Sequence, residues 1–261
     1  MTENKSFTRF ADVGKAYRAI DGSRYEAVRD FNLDIGEHEF FCLLGPTGCG
    51  KTTVLSMLAG FESPTSGRIE VAGKPVTGTG AERAVIFQSQ DSLYPWLTAI
   101  ENVEFGLRMK GMPKTQRRQR AAEYLKLVGL SGQEGKHPPE LSGGMKQRIQ
   151  IARVLANDPR MLLMDEPFAA LDAQTRALMQ QQLRRIWSRD RLCVLFITHD
   201  IDEALMLASR IGIMRAGPAS GIKEIVEVKL GEERDRTTPG YAEHYRDVHN
   251  MIREEVLRAH Q

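Results

Sequence analysis

Gly45-Pro46-Thr47-Gly48-Cys49-Gly50-Lys51-Thr52 lies between an apolar run, Phe40 to Leu44, and a helix-like stretch from about Gly50 to Ala59. Strand, glycine-rich turn and helix in that order make a phosphate cradle, and the residues fit G-x-x-x-x-G-K-[ST] at every required position. Glycines let backbone N–H groups converge on phosphate oxygens, and the helix that follows aims its positive dipole end at the same point. Lys51 is placed to reach the β- and γ-phosphates of a nucleotide, the Thr52 hydroxyl to ligate Mg²⁺, and Thr53 joins the nucleotide contacts. Cys49 sits inside the loop at a helix N-terminus, a setting expected to lower its thiol pKa and make it more reactive than Cys42 and Cys193. The alternative is that the position accepts any small residue and the thiol is a passenger.

A second element, Met161-Leu162-Leu163-Met164-Asp165-Glu166, is four apolar residues ending in two carboxylates. It describes a buried strand that delivers acids at its C-terminal end, where open α/β sheets place ligands. Asp165 is expected to hold Mg²⁺, largely through water, and Glu166 to orient and deprotonate an attacking water.

Around these elements the chain divides by texture. Strand-like runs fall near Phe7–Val13, Ala27–Ile35, Phe40–Leu44, Gly67–Val71 and Ala84–Phe87. From Thr98 to Asn157 the pattern is helical, with Ile100, Val103 and Leu107, then Ala121, Leu125 and Val128, at helical spacing. Beyond Arg160, apolar runs (Met161–Met164, Leu192–Ile197, Ile211–Met214) alternate with helical stretches, one through Ile186 and one from Ile201. Such alternation predicts an α/β fold with a mostly parallel sheet. The expected architecture is a P-loop NTPase core, about residues 1–88 and 158–230, with an N-terminal antiparallel β portion. A helical subdomain is inserted at about 89–157, and a helical tail follows at about 231–261. The tail places Tyr241, Tyr245, Val248, Ile252 and Val256 on one face, expected to dock on the core.

Composition narrows the partners. The 261 residues carry a formal net charge of +2, with 41% hydrophobic and 27% charged residues, which is that of an ordinary globular protein. So small a charge gives no reason to expect a nucleic-acid partner. Arg117, Arg118 and Arg120 near Lys114 read as a solvated helix face. Three cysteines without metal-ligand spacing fit a reducing compartment. The polar stretch from Met1 to Phe10 lacks the pattern of a secretory signal. No apolar run approaches the roughly 20 residues that cross a bilayer, so service to a membrane would go through a partner.

Between the two acidic and glycine-rich elements lies Leu141-Ser142-Gly143-Gly144-Met145-Lys146-Gln147-Arg148. Ser142 reads as an N-cap, and two glycines bare the N–H groups at a helix start. In isolation this is either an ordinary capped helix or a second anion site. In this order along the chain it resembles the signature motif of ATP-binding cassette proteins, and other family marks accompany it. Gln88 after Val85-Ile86-Phe87 resembles the Q-loop glutamine. His199 after Leu195-Phe196-Ile197-Thr198 resembles the switch histidine, and Ala170-Leu171-Asp172 the D-loop. Tyr17 stands where the family carries an aromatic that stacks on adenine, although Tyr25 is nearby.

The resemblance covers nearly the whole chain and implies an ATPase. Its catalytic residues would be Glu166, His199, Lys51 and Gln88, with Thr52, Gln88 and Asp165 around Mg²⁺. ATP would lie on Tyr17, on Gly45 through Thr53 and on Asp165. Its second wall would be Ser142, Gly143 and Gly144 of another subunit, a second copy or a paralogue, packed head to tail. A transmembrane permease is implied near Gln88 and the helical insertion, on the cytoplasmic face of the inner membrane. Two positions depart from the family pattern, Met145 where glutamine is usual and Ala169 where serine or glycine is common. Met145 and Leu93-Tyr94-Pro95-Trp96-Leu97-Thr98 resemble importers of nitrate, sulfonates and taurine, which also use an extracytoplasmic solute-binding protein. The short tail agrees, since sugar importers of the family usually append a β-domain. Lipid-handling or export ATPases, and soluble cassette ATPases of translation or DNA repair, are the alternatives. For Trp96 two readings stand: an anchor for the permease, or core of the helical insertion.

Overall fold

The computed structural model describes residues 6–19, 22–87, 92–231 and 234–259. Two sheets organise them. The smaller is antiparallel, in the order β2-β1-β4-β5, from β1 (Ser6–Arg18), β2 (Arg24–Gly36), β4 (Ser66–Val71) and β5 (Lys74–Pro75). The larger runs β10-β9-β3-β8-β7-β6. Its strands are β3 (Phe40–Leu44), β6 (Arg83–Ile86), β7 (Met161–Asp165), β8 (Cys193–Ile197), β9 (Arg210–Met214) and β10 (Ile222–Glu227). The pairs β6–β7, β7–β8, β8–β3 and β3–β9 are parallel, and only the edge strand β10 is antiparallel.

Every residue of β3, β7 and β8 is buried, and this explains their unbroken apolar sequences. Alternate residues serve opposite faces. Phe40, Cys42 and Leu44 of β3 join one apolar cluster, while Phe41 and Leu43 join the other. The second cluster holds α1 (Lys51–Ala59) and the antiparallel sheet, through Val54, Leu55, Leu58, Phe10 and Phe31. The first extends without a break into α2 (Ala99–Met109), α3 (Lys114–Leu127) and α4 (Gly143–Leu155) through Ile100, Val103, Leu107, Ala121, Leu125 and Ile149. Those helices therefore share the core of the sheet instead of forming one of their own. Full burial of each of Phe40, Phe168 and Phe196 in this cluster contributes about 1.5–3 kcal/mol.

Helix ends follow local chemistry. Thr98 caps α2 in a reciprocal capping box with Glu101. Asp172 caps α5 (Ala173–Asp190), accepting from Gln174 and Thr175 N–H, and Asp200 caps the short α6 (Ile201–Leu207). Among the described residues no helix is long and apolar enough to cross a membrane.

The tail helix docks on the core through Tyr241, Val248 and Ile252, but one part of its expected face needs correction. In α7 (Tyr241–Ala259), Tyr241 and Val248 are buried but Tyr245 and Val256 are exposed. The buried stripe instead includes Glu255, 1% exposed, whose carboxylate accepts from Ala216 N–H at 2.8 Å and meets Lys223 at 3.1 Å. A satisfied carboxylate thus occupies a position that an apolar stripe would leave to Val256. Strand β10, Ile-Lys-Glu-Ile-Val-Glu, has no counterpart in the sequence reading. Its side chains are at most half-buried, as at a sheet edge protected by charge.

Candidate functional site

The parallel register sets the site. Leu43 of β3 pairs with Ile197 of β8, and Ile197 pairs with Asp165 of β7, so three adjacent strands end at one level. Past Leu44 comes the glycine loop, past Asp165 comes Glu166, and past Ile197 come Thr198 and His199. An open cleft of about 600 Å³ forms there, lined by Thr47, Gly48, Gly50, Lys51, Thr52 and Thr53, by Asp165, Glu166 and His199, and by Tyr17, Tyr25 and Ala27.

Within the loop, Gly50 adopts φ 93° directly before α1, and a Cβ there would lie 2.9 Å from Val28 Cγ2 and 3.0 Å from the Ala27 carbonyl oxygen. Conformation and space both demand glycine. Lys51 Nζ donates to the carbonyls of Gly45 (2.7 Å) and Pro46 (2.8 Å), which holds the ammonium at the loop. Thr52 Oγ1 donates to Asp165 Oδ2 at 2.9 Å. Burial raises the Asp165 carboxyl above its usual range; the Glu166 charge adds to this, while the Thr52 bond and the Lys51 charge oppose it. A hydroxyl and a carboxylate at one point are a hard-oxygen donor set that suits Mg²⁺. Among the described residues no three His, Cys, Asp or Glu side chains group to hold a metal. A cation bound there would complete its shell from phosphate oxygens and water.

Glu166 is in the left-handed region at φ 45°, and its Oε1 lies 3.0 Å from His199 Nδ1. Non-glycine residues held at positive φ are uncommon, and they gather where a site is built. Beneath His199, Thr198 Oγ1 donates to the buried Glu203 at 2.7 Å, and Asp200 N–H donates to Thr198 Oγ1 at 3.0 Å. Thr198 and Glu203 are supporting residues that sequence reasoning missed. An acid in the first turn of a predicted helix was the available signal, but its burial depends on tertiary packing.

Tyr17 and Tyr25 face each other across β1 and β2. Tyr17 donates its hydroxyl to Glu62 at 2.7 Å, and Lys15 Nζ lies 5.0 Å over its ring. Burial, then the bond to Glu62, raises its phenol pKa. Tyr25 is half exposed beside it, so two aromatic faces border the cleft rather than one. Gln88 lies outside the described residues.

Ser142, Gly143 and Gly144 are not part of this lining. Ser142 Oγ accepts from Met145 N–H at 3.3 Å as the cap of α4, and the exposed serine leaves that helix start facing outward. A Cβ on Gly144 would stand 3.3 Å from Leu171 Cδ2, so the glycine seats α4 against the Ala170-Leu171-Asp172 loop. The buried Gln147 accepts from Ala170 N–H at 3.3 Å, a further tie that sequence reasoning did not single out. Met145 packs half-buried on the apolar cluster, which accounts for an apolar residue at that place.

Cys49 corrects an expectation. Its side chain is fully buried, and burial raises the thiol pKa, outweighing the nearby Lys51 charge and the hydrogen bonds from Lys51 and the loop backbone. Burial likewise raises Cys42, and pushes Cys193 up to about 12. All three thiols in the native protein should therefore resist iodoacetamide at pH 7 and react once the chain is unfolded. With a raised pKa the thiolate fraction of Cys49 keeps growing as pH climbs above about 8.5. Fast labelling of Cys49 in the native protein at pH 7 would contradict this.

Comparison with known proteins agrees with the geometry. A family model described as ABC transporter matches residues 28–169. An uncharacterized ABC transporter ATP-binding protein of Methanocaldococcus jannaschii is 48% identical over 240 residues, 92% of this chain and 89% of that protein. A bicarbonate transport ATP-binding protein of Synechocystis is 45% identical over 88% of this chain and 82% of its own length. The nitrate import ATP-binding protein of Synechococcus elongatus is 42% identical over 93% and 90%. Among solved structures, a dimeric ATP-binding cassette in a post-hydrolysis state, bound to ADP and Pi, superposes with a TM-score of 0.76 at 32% identity, covering 85% of this chain and 99% of that one. A glycine loop, two strand-end carboxylates and a histidine around one cleft, in a chain so similar to these, place the protein in the ABC transporter family as an ATP-binding ATPase.

Proposed function

We propose that the chain is the ATP-hydrolysing subunit of an importer for a small solute of the nitrate, sulfonate or taurine type. The observation that carries the reading is the division of the chemistry. The cleft unites Lys51, Thr52, Asp165, Glu166 and His199, while the capped start of α4 at Ser142-Gly143-Gly144 stands apart and faces outward. An exposed helix N-terminus with two glycines suits a phosphate that a second subunit brings. Two copies, or this chain and a paralogue, then pack head to tail with ATP between the glycine loop of one and the Ser142 helix of the other.

In that arrangement Tyr17 and Tyr25 border the adenine, and Lys51 carries positive charge to the β- and γ-phosphates. Thr52 and Asp165, with Gln88, would hold Mg²⁺, which would supply positive charge beside the phosphates. Glu166 takes a proton from the attacking water, and His199, 3.0 Å from its carboxylate, holds that carboxylate in place and reaches toward the γ-phosphate. The comparison proteins support import as the direction, because relatives similar over nearly their whole length carry nitrate import and bicarbonate transport names.

The surface around Trp96 supports a membrane partner. Trp96 is 70% exposed, against the alternative that it is core, and it leans on Tyr94, whose ring also packs on Phe105 at 4.7 Å. An exposed aromatic residue backed by half-buried ones, as Trp96 is by Tyr94 and, through it, Phe105, is a favoured anchor at protein interfaces. We assign this patch, at the peripheral cytoplasmic face of the membrane, to the permease, which an extracytoplasmic solute-binding protein supplies with solute.

Glu166→Gln tests the chemistry. It should retain ATP, lose about 10²- to 10⁴-fold in turnover, and accumulate an ATP-bound dimer on size-exclusion chromatography; near-normal hydrolysis would refute the assignment. Trp96→Ser tests the partner. As a surface change it should move the stability of the isolated subunit by no more than about 0.5 kcal/mol and leave its ATPase intact, yet abolish copurification with the permease. Permease binding retained by this variant would remove the patch from the interface.

A further inference from the structure

Helix α6 is seven residues long and begins two residues after His199, behind its cap Asp200. So short a helix takes its position from what holds it. The segment from Arg234 to Tyr241 holds it at both ends. At the C-terminal end, the Arg234 guanidinium donates to the carbonyls of Leu205 (2.8 Å) and Ala208 (2.7 Å), groups that a helix end leaves without partners of its own. At the N-terminal end, the Asp202 carboxylate accepts from the Tyr241 hydroxyl on one oxygen and from Arg236 on the other. Tyr241 begins α7, whose buried Val248 and Glu255 fix it to the core and to Ala216 and Lys223.

From Asp202 the contacts lead to the site in two steps. Asp202 N–H donates to Asp200 Oδ1 at 2.8 Å, and Asp200 N–H donates to Thr198 Oγ1, which in turn donates to Glu203 on the same helix. His199 lies between Thr198 and Asp200, with Nδ1 3.0 Å from Glu166. The first turn of α6 is thus hydrogen-bonded to the residues on either side of His199.

We propose that Arg234, Arg236 and Tyr241 form a positioning strap that sets His199 through α6, making the tail helix a control point for hydrolysis. This rests on the role proposed above for His199. None of the three strap residues lines the nucleotide cleft, so loosening the strap should slow turnover and leave nucleotide binding alone.

The experiment compares Arg236→Ala, Tyr241→Phe and the double variant in the full chain. The Arg236 side chain is exposed and Tyr241→Phe keeps the ring, so neither change empties core volume. The double variant should lower kcat by about three- to tenfold with KM for ATP unchanged, the pattern of an interaction made only in the transition state. Fluorescent-nucleotide affinity should stay at the parent value. In a His199→Ala background the same pair of changes should produce no further fall, because the residue being positioned is gone. Unchanged kcat, a raised KM, or an equal proportional fall in the His199→Ala background would each overturn the strap. Normal turnover in His199→Ala alone would overturn the role of His199, and the strap with it; impaired His199→Ala beside an unaffected double variant overturns the strap only.

Discussion

The in-register pairing of β3, β8 and β7 is the constraint on which the site depends. Leu43, Ile197 and Asp165 stand at one level, so the loop that follows each strand opens at the same place. Slippage in a parallel sheet buried on both faces would cost the packing of whole apolar strands, and that cost fixes the register. The lysine, the carboxylates and the histidine come from residues 51, 165, 166 and 199, far apart in sequence, and only this alignment brings them to a common cleft.

The same sheet separates the two halves of the proposed catalytic unit. One face carries α1 and the antiparallel sheet, and thus the glycine loop and the tyrosines that border the cleft. The other face carries α2 to α4, and Ser142 at the start of α4 is not part of the cleft lining. Gln147 and Gly144 tie that helix to the Ala170-Leu171-Asp172 loop, which begins four residues after Glu166.

What could be read from sequence was what is local. The glycine loop, the apolar run ending in Asp165-Glu166, and the histidine after Phe196-Ile197-Thr198 each announce themselves within ten residues, and the structure gathers them in one cleft. What could not be read depends on distant packing. Cys49 has the local setting of an activated thiol, but its burial against Gly45 reverses the shift. The stripe on α7 docks at Tyr241, Val248 and Ile252 but not at Val256, because Glu255 finds Ala216 and Lys223 from other elements. Tyr25 joins Tyr17 only through the register of β1 with β2, and Glu203 becomes a buried partner of Thr198 only once α6 docks.

The central claim is that one chain holds half of each hydrolytic site. It is tested most directly by mixing two inactive proteins, Ser142→Arg, which spoils the capped helix start, and Lys51→Ala, which removes the ammonium from the phosphate loop. Each homodimer should fail to hydrolyse ATP, and the mixture should regain about one working site per heterodimer, since one interface then combines an intact Lys51 with an intact Ser142. Hydrolysis by the Ser142→Arg protein on its own, or a mixture as inactive as its parts, would contradict the account.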